Sequence, residues 1–232
     1  MKQTLLFLFL SISLFSQKTV ETFESNKLGE SRQITIGLPG SYEKNPNKSY
    51  PILILLDSDY LFDPFYGALN YGAYWEDMPE TIIVGISQNI NEERIDDCNY
   101  DDANGLPAGK GAAFFSFIGG ELIPYIEKKY RVASFRIIAG HDTTAGFSNF
   151  FLYKEYSIFN AYISLSPELV PEMETPIPER FAALKQPLFY YQSTGDGDIK
   201  DILEPVKKLD ENIKAANNPL INYKYDAFKG AS

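Results

Sequence analysis

The chain has one cysteine, one histidine and one tryptophan in 232 residues, and it is short of positive charge: 21 Lys and Arg face 31 Asp and Glu, a net charge of −10. One thiol makes neither an internal disulfide nor a cysteine-rich zinc cluster. That thiol, Cys98, follows Asp96 and Asp97, and neighbouring carboxylates keep a thiol protonated and unreactive. An acidic chain without a basic patch repels phosphate backbones, which argues against nucleic acid as a partner. The acids between residues 88 and 110 (Glu92, Glu93, Asp96, Asp97, Asp101, Asp102) lack the spacing of a calcium loop, and so does Asp196-Gly197-Asp198. Neither a metal nor a cofactor is expected. Beyond the N-terminus no apolar run is long enough to cross a bilayer.

What is present is ordinary globular material. The chain is 44% hydrophobic and 22% charged, with 17 Phe and 16 Tyr, a composition that can bury a sizeable core. Lys2 precedes an apolar run at residues 5–15 that only serines interrupt; Ser16-Gln17 follows, and polar chain begins at Lys18. That layout predicts a secretory signal peptide over residues 1–17, with cleavage near Ser16 or Gln17 and a secreted or periplasmic product. No cysteine stands there to carry a lipid anchor.

Residues 19–25 and 32–38 alternate in polarity around a Lys27-Leu28-Gly29 turn, which predicts an antiparallel hairpin. Continuous apolar runs follow at 50–57, 81–86, 135–140, 161–165 and 187–191, as expected of strands buried on both faces of a parallel sheet. A sixth run, 221–228, alternates. Helical spacing appears at 112–130 through Phe114, Phe115, Ile118, Leu122 and Ile126, and at 199–216 through Ile202, Val206, Leu209 and Ile213. Strands alternating with helices predict an α/β fold with a doubly wound, mostly parallel sheet and N-terminal antiparallel strands, in one domain over residues 18–232. The long polar stretch 88–110 follows a strand end, a place where loops wall active sites or simply lie in solvent.

One junction carries the chemistry. In Ile138-Ala139-Gly140-His141-Asp142-Thr143-Thr144-Ala145-Gly146 a buried strand ends at Gly140 and a helix is expected from about Thr143. A strand–turn–helix of this kind resembles the nucleophile elbow, Gly-x-Ser-x-Gly, of α/β-hydrolases. Further segments fall in the order seen in the Putative esterase family, which includes esterase D-like and feruloyl-esterase-like enzymes. They are Leu55-Leu56-Asp57-Ser58-Asp59, Val84-Gly85-Ile86 with Arg94 and Asp97 after it, Glu121-Leu122-Ile123-Pro124, and Ser166-Pro167. The chain resembles that family from about residue 19 to 232.

The resemblance implies an α/β-hydrolase fold acting on small-molecule esters. It implies an oxyanion hole from the backbone N–H groups of Ser58 and Thr143, with Asp57, His141 and Thr144 around the elbow. The triad acid falls at Asp198, with Asp196 as the alternative. Two positions depart from the pattern: Asp142 stands where the serine belongs, and Thr144 replaces the second glycine, which predicts an elbow slightly opened. The family's histidine follows the last strand, where this sequence reads Phe228-Lys229-Gly230-Ala231-Ser232, so the resemblance also implies a C-terminal end missing just before the base. His141 is read as elbow packing, because neighbours in a tight turn point in different directions.

Three functions stay open at this point. The first is esterase ancestry with altered or residual hydrolase activity. The second is a non-catalytic relative, a pseudoenzyme binding a ligand or partner in the cleft. The third is a hydrolase with Asp142 as nucleophile, the chemistry of dehalogenases and epoxide hydrolases.

Overall fold

A computed structural model describes residues 18–88 and 93–230. The expected signal peptide lies outside the described residues. β1 (Lys18–Ser25) and β2 (Glu30–Gly37) form the expected antiparallel hairpin, Lys18 pairing with Gly37 and Ser25 with Glu30. Gly29 takes φ +71° at the turn, a conformation that costs glycine little. β3 (Tyr50–Leu55), α1 (Ser58–Tyr74) and β4 (Ile82–Ile86) follow, then α2 (Glu93–Asp97) and the two-residue strands β5 (Tyr100–Asp101) and β6 (Leu106–Pro107). The described part of the stretch 88–110 thus carries a helix and a short strand pair.

The helical spacing from residue 112 becomes α3 (Lys110–Phe117), one wide π turn (Ile118–Leu122) and α4 (Ile123–Lys129). Pro124 stands at the start of α4; lacking an N–H, it cannot continue a regular ladder. β7 (Val132–His141), α5 (Thr143–Ser148), β8 (Ala161–Leu165), α6 (Pro176–Ala182), β9 (Leu188–Gly195), α7 (Lys200–Ala216) and β10 (Ile221–Phe228) complete the order.

Eight strands form one sheet in the order β1-β2-β4-β3-β7-β8-β9-β10. β3, β4, β7, β8, β9 and β10 run parallel, and β1 and β2 are the antiparallel end, as the sequence predicts. Alternate residues of the central strands face opposite layers. Ile52, Ile54, Val84, Ile138, Tyr162 and Tyr190 join the larger core with α3, α4, α6 and α7. Leu53, Leu55, Ile83 and Ala139 pack against α1 through Phe62. On the α1 face the layer thins toward β9, where Phe189 is 45% exposed. Helix α1, which the sequence pattern does not announce, places Ser58 and Asp59 at the C-terminal end of β3, beside the end of β7.

Candidate active site

Asp142 sits between β7 and α5 with φ 56° and ψ −122°. A positive φ with this ψ is strained for a residue with a Cβ, and it thrusts the side chain out at the strand's C-terminal end, as an elbow does. The turn is braced by backbone hydrogen bonds: Asp142 N donates to Leu165 O (2.8 Å), and Gly146 N and Glu168 N both donate to Asp142 O (3.0 and 3.1 Å).

The elbow is not opened by Thr144. That residue is fully buried, and a Cβ on Gly140 would lie 2.8 Å from the Thr144 carbonyl carbon and from Ala145 N. The close approach of strand and helix therefore rests on Gly140, and the Thr144 hydroxyl has been put to use. It accepts from His141 N (3.0 Å) and stands 2.7 Å from Asp57 Oδ2 and 2.9 Å from His141 O, with its single proton for one of the two.

Asp57 follows β3 in a left-handed conformation, φ 53° and ψ 35°, which aspartate tolerates better than most residues. It is fully buried, and its carboxylate is the hub of the site. Arg94 Nε donates to Oδ1 (2.7 Å), and Arg94 Nη2 (3.2 Å) and Tyr60 Oη (3.0 Å) approach Oδ2. Gln88 Oε1 accepts from Asp57 N, and Gln88 Nε2 donates to Asp97, which is itself paired with the buried Arg32 (2.5 Å). A chain of charge and amide contacts thus ties α2 to the end of β3.

Arg94 reaches onward to the elbow. Nη2 donates to His141 O (2.9 Å), while Nη1 and Nη2 lie 3.5 and 3.4 Å from Asp142 Oδ2. Burial alone would lower the Arg94 pKa, but the hydrogen bonds and charge of Asp57, with Tyr60 and Asp142 adding to them, hold it above its ordinary value. The guanidinium is a fixed cation between two carboxylates. Burial first, and then the Asp57 charge, push the Tyr60 phenol well above its ordinary pKa, so it remains a neutral hydroxyl.

Asp142 and Asp57 therefore meet through Arg94, which sequence reasoning had placed only in a matching segment and not in the site. His141 is engaged with Tyr60: its Nδ1 is 3.0 Å from Tyr60 Oη. Ser58 and Thr143 are the first residues of α1 and α5, positions whose N–H groups have no intrahelical acceptor. Asp198 Oδ2 accepts from Ser166 Oγ (2.7 Å) and from Gly195 N (2.9 Å), whereas Asp196 caps Gly230 N (2.7 Å). Of the two acids, Asp198 is the one turned back toward the end of β8.

A cleft of about 1060 Å³ opens beside the elbow at Thr143. One wall comes from the segment after β4, through Ile95, Cys98, Asn99 and Tyr100; another from Glu168, Leu169 and Val170; a third from Lys200, Asp201 and Glu204 of α7. Thr143 Oγ1 donates to Glu168 Oε2 (2.7 Å) at its edge. Burial, with Asp97 and Asp57 adding, pushes the Cys98 thiol far up in pKa, in keeping with an unreactive wall residue. Among the described residues there is no cluster of three or more His, Cys, Asp or Glu that could hold a metal ion, and no helix is long and apolar enough to cross a membrane.

The elbow, the mixed sheet and the helices on both faces define an α/β-hydrolase. A sequence model described as Putative esterase matches residues 25–221, and the chain belongs to that family. A solved structure of an uncharacterised protein from Capnocytophaga ochracea is similar at 28% identity and TM-score 0.84, over 93% of this chain and 59% of that one; this chain thus spans less than two thirds of that protein's length. An IroE-like serine hydrolase from Shewanella oneidensis shares the fold at 22% identity and TM-score 0.75, over 91% of this chain and 73% of that one. The BES protein from Bacillus cereus does so at 22% identity and TM-score 0.78, over 99% and 92%. No curated protein matches the chain.

Proposed function

We propose that this protein is an exported ligand-binding relative of the esterases, which holds a small acyl or ester compound in its cleft without serine-type acyl transfer. The observation that carries the reading is Asp142 at the apex of the elbow, facing the Arg94 guanidinium. Attack by a carboxylate on an ester would produce an anhydride, a poor intermediate. A fixed negative charge beside Ser58 N and Thr143 N also opposes the oxyanion those donors would stabilise. Asp198 holds the Ser166 hydroxyl and His141 is engaged with Tyr60, so neither stands with Asp142 as a proton-transfer pair. Export rests on the signal-peptide pattern of residues 1–17.

A specific observation favours a second reading. Asp142 keeps the elbow backbone, and its side chain is 34% exposed, the placement an aspartate nucleophile needs for an alkyl halide or epoxide. One set of experiments on the full gene product separates the two. The expected result is p-nitrophenyl acetate turnover no faster than that of Asp142→Asn, with ester binding visible by ligand-observed NMR. Clear turnover abolished by Asp142→Asn overturns the binding reading. A mass increment on the peptide carrying Asp142, after incubation with a haloalkane or epoxide, establishes the second.

A further inference from the structure

A second hollow, of about 510 Å³, lies between the turn of the β1–β2 hairpin, α3 with its wide π turn, and the segment that leads from α5 to β8. It shares no lining residue with the cleft at Thr143, and its volume falls in the range of small-ligand sites, about 300–1,000 Å³. Phe115 and Phe151 stack in its wall with ring centroids 4.2 Å apart, and Tyr156 and Ile158 add apolar surface. The Ser116 hydroxyl in the same wall already donates to Ala112 O of its own helix (2.9 Å), so its proton is engaged.

The π turn, Ile118–Leu122, supplies the floor through Gly119 and Gly120. Such turns recur at functional sites, and glycine weakens a helix interior relative to alanine. Gly119 has a packing reason: a Cβ there would come 3.3 Å from Ile158 Cδ1. At Gly120 a Cβ would meet nothing within 4 Å, and the backbone is outside the left-handed region. Neither packing nor conformation asks for glycine at that position, and its bareness leaves the hollow unfilled.

Lys27 and Lys154 also line it, and among the described residues neither ammonium has a carboxylate partner. Lys154 Nζ lies 5.8 Å from the centre of the Phe115 ring. Glu121, next to Gly120 in sequence, is turned to the hairpin, where its carboxylate accepts from Ser25 Oγ (2.5 Å) and from Lys27 N (3.2 Å). No Asp or Glu is among the lining residues, in a chain of net charge −10. Two such cations beside an apolar slot are complementary to an apolar tail with an anionic head. We propose that this hollow binds a medium-chain fatty carboxylate, with the alkyl chain against Phe115, Phe151 and Gly120 and the carboxylate at Lys27 and Lys154.

Isothermal titration calorimetry of the full gene product with octanoate tests this. The expected result is saturable binding with a Kd of roughly 0.1–1 mM, at least about fivefold tighter than for 1-octanol or octylamine. Gly120→Leu places a side chain in the hollow at a position with room for it and suits a helix; it weakens binding at least about tenfold. Lys27→Gln with Lys154→Gln weakens binding about fivefold, and circular dichroism melts check that each variant is folded. Absence of saturable binding below about 10 mM overturns the proposal. So does binding that a folded Gly120→Leu variant leaves unchanged, the outcome if octanoate settles in the cleft at Thr143. Equal affinity for 1-octanol or octylamine, or no effect of the double lysine change, overturns it as well.

Discussion

Replacing Asp57 by asparagine isolates the charge at the centre of the site. Asparagine takes a left-handed backbone as readily as aspartate, so φ 53° at this position adds no penalty. With its amide oxygen at the Oδ2 position it keeps an acceptor for Thr144 Oγ1, Tyr60 Oη and Arg94 Nη2, now at 2.7, 3.0 and 3.2 Å. Its NH₂ then replaces Oδ1 and faces Arg94 Nε, donor against donor, where the wild type has a 2.7 Å charged hydrogen bond. Breaking a buried ion pair by removing one partner costs about 3–5 kcal/mol. Arg94 retains 21% side-chain exposure and Asp142 nearby, so the loss belongs at the low end, about 3 kcal/mol. For a chain of this size that is a fall in Tm of roughly 6–12 °C. Urea unfolding followed by circular dichroism reads the loss directly, and a cycle with Arg94→Met reads the coupling. A loss below about 1 kcal/mol, or strict additivity with Arg94→Met, would refute Asp57 as the hub.

Two further outcomes follow from the packing and the charges. Gly146→Ala would push a Cβ onto the backbone oxygen of Glu168, an atom that cannot swing aside, so a loss of about 3 kcal/mol or more, or failure to fold, is expected in the same unfolding assay; a fully stable variant would contradict the elbow's packing. Burial works to raise the Glu21 pKa, but hydrogen bonds from Lys129, Tyr125 and Tyr130 outweigh it and hold the value below the usual 4.5. A carboxylate depressed in the folded state contributes stability above pH 4.5 that disappears as pH falls through the lowered value. Glu21→Gln should flatten the acid limb of the stability–pH curve below the usual 4.5, and an unchanged limb would remove Glu21 from that account.

The central strands were legible because burial on both faces leaves unbroken apolar runs: all five residues of β4 are buried. The elbow was legible because Gly140 and Gly146 punctuate a strand-to-helix junction at close approach. Helix α1 is not legible in the sequence because Pro64, Gly67 and Gly72 interrupt it and the exposed Tyr71 and Tyr74 blur its apolar stripe. β7 begins earlier than the apolar run because its first residues are only half buried. The place of Arg94 in the site is not legible in the sequence, since its partner Asp57 is 37 residues away and α2 has no periodicity to mark it. One signal was available: two acids at the C-terminal ends of neighbouring strands require a counter-charge, and Arg94 is the single basic residue between Glu76 and Ala108.

The Arg94 guanidinium has a kinetic consequence. It fastens segments 37, 47 and 48 residues distant along the chain, at Asp57, His141 and Asp142. Each contact closes a long loop, whose entropy must be lost before the contact returns anything. The hairpin of β1 and β2 and the turns of α3 form from near neighbours and have no such delay. The elbow cluster therefore consolidates later than those local elements. Substitutions at Asp57, Arg94 or Thr144 should leave the refolding rate nearly unchanged and appear as faster unfolding, so this chain's persistence in the native state, more than its speed of reaching it, is set at the site.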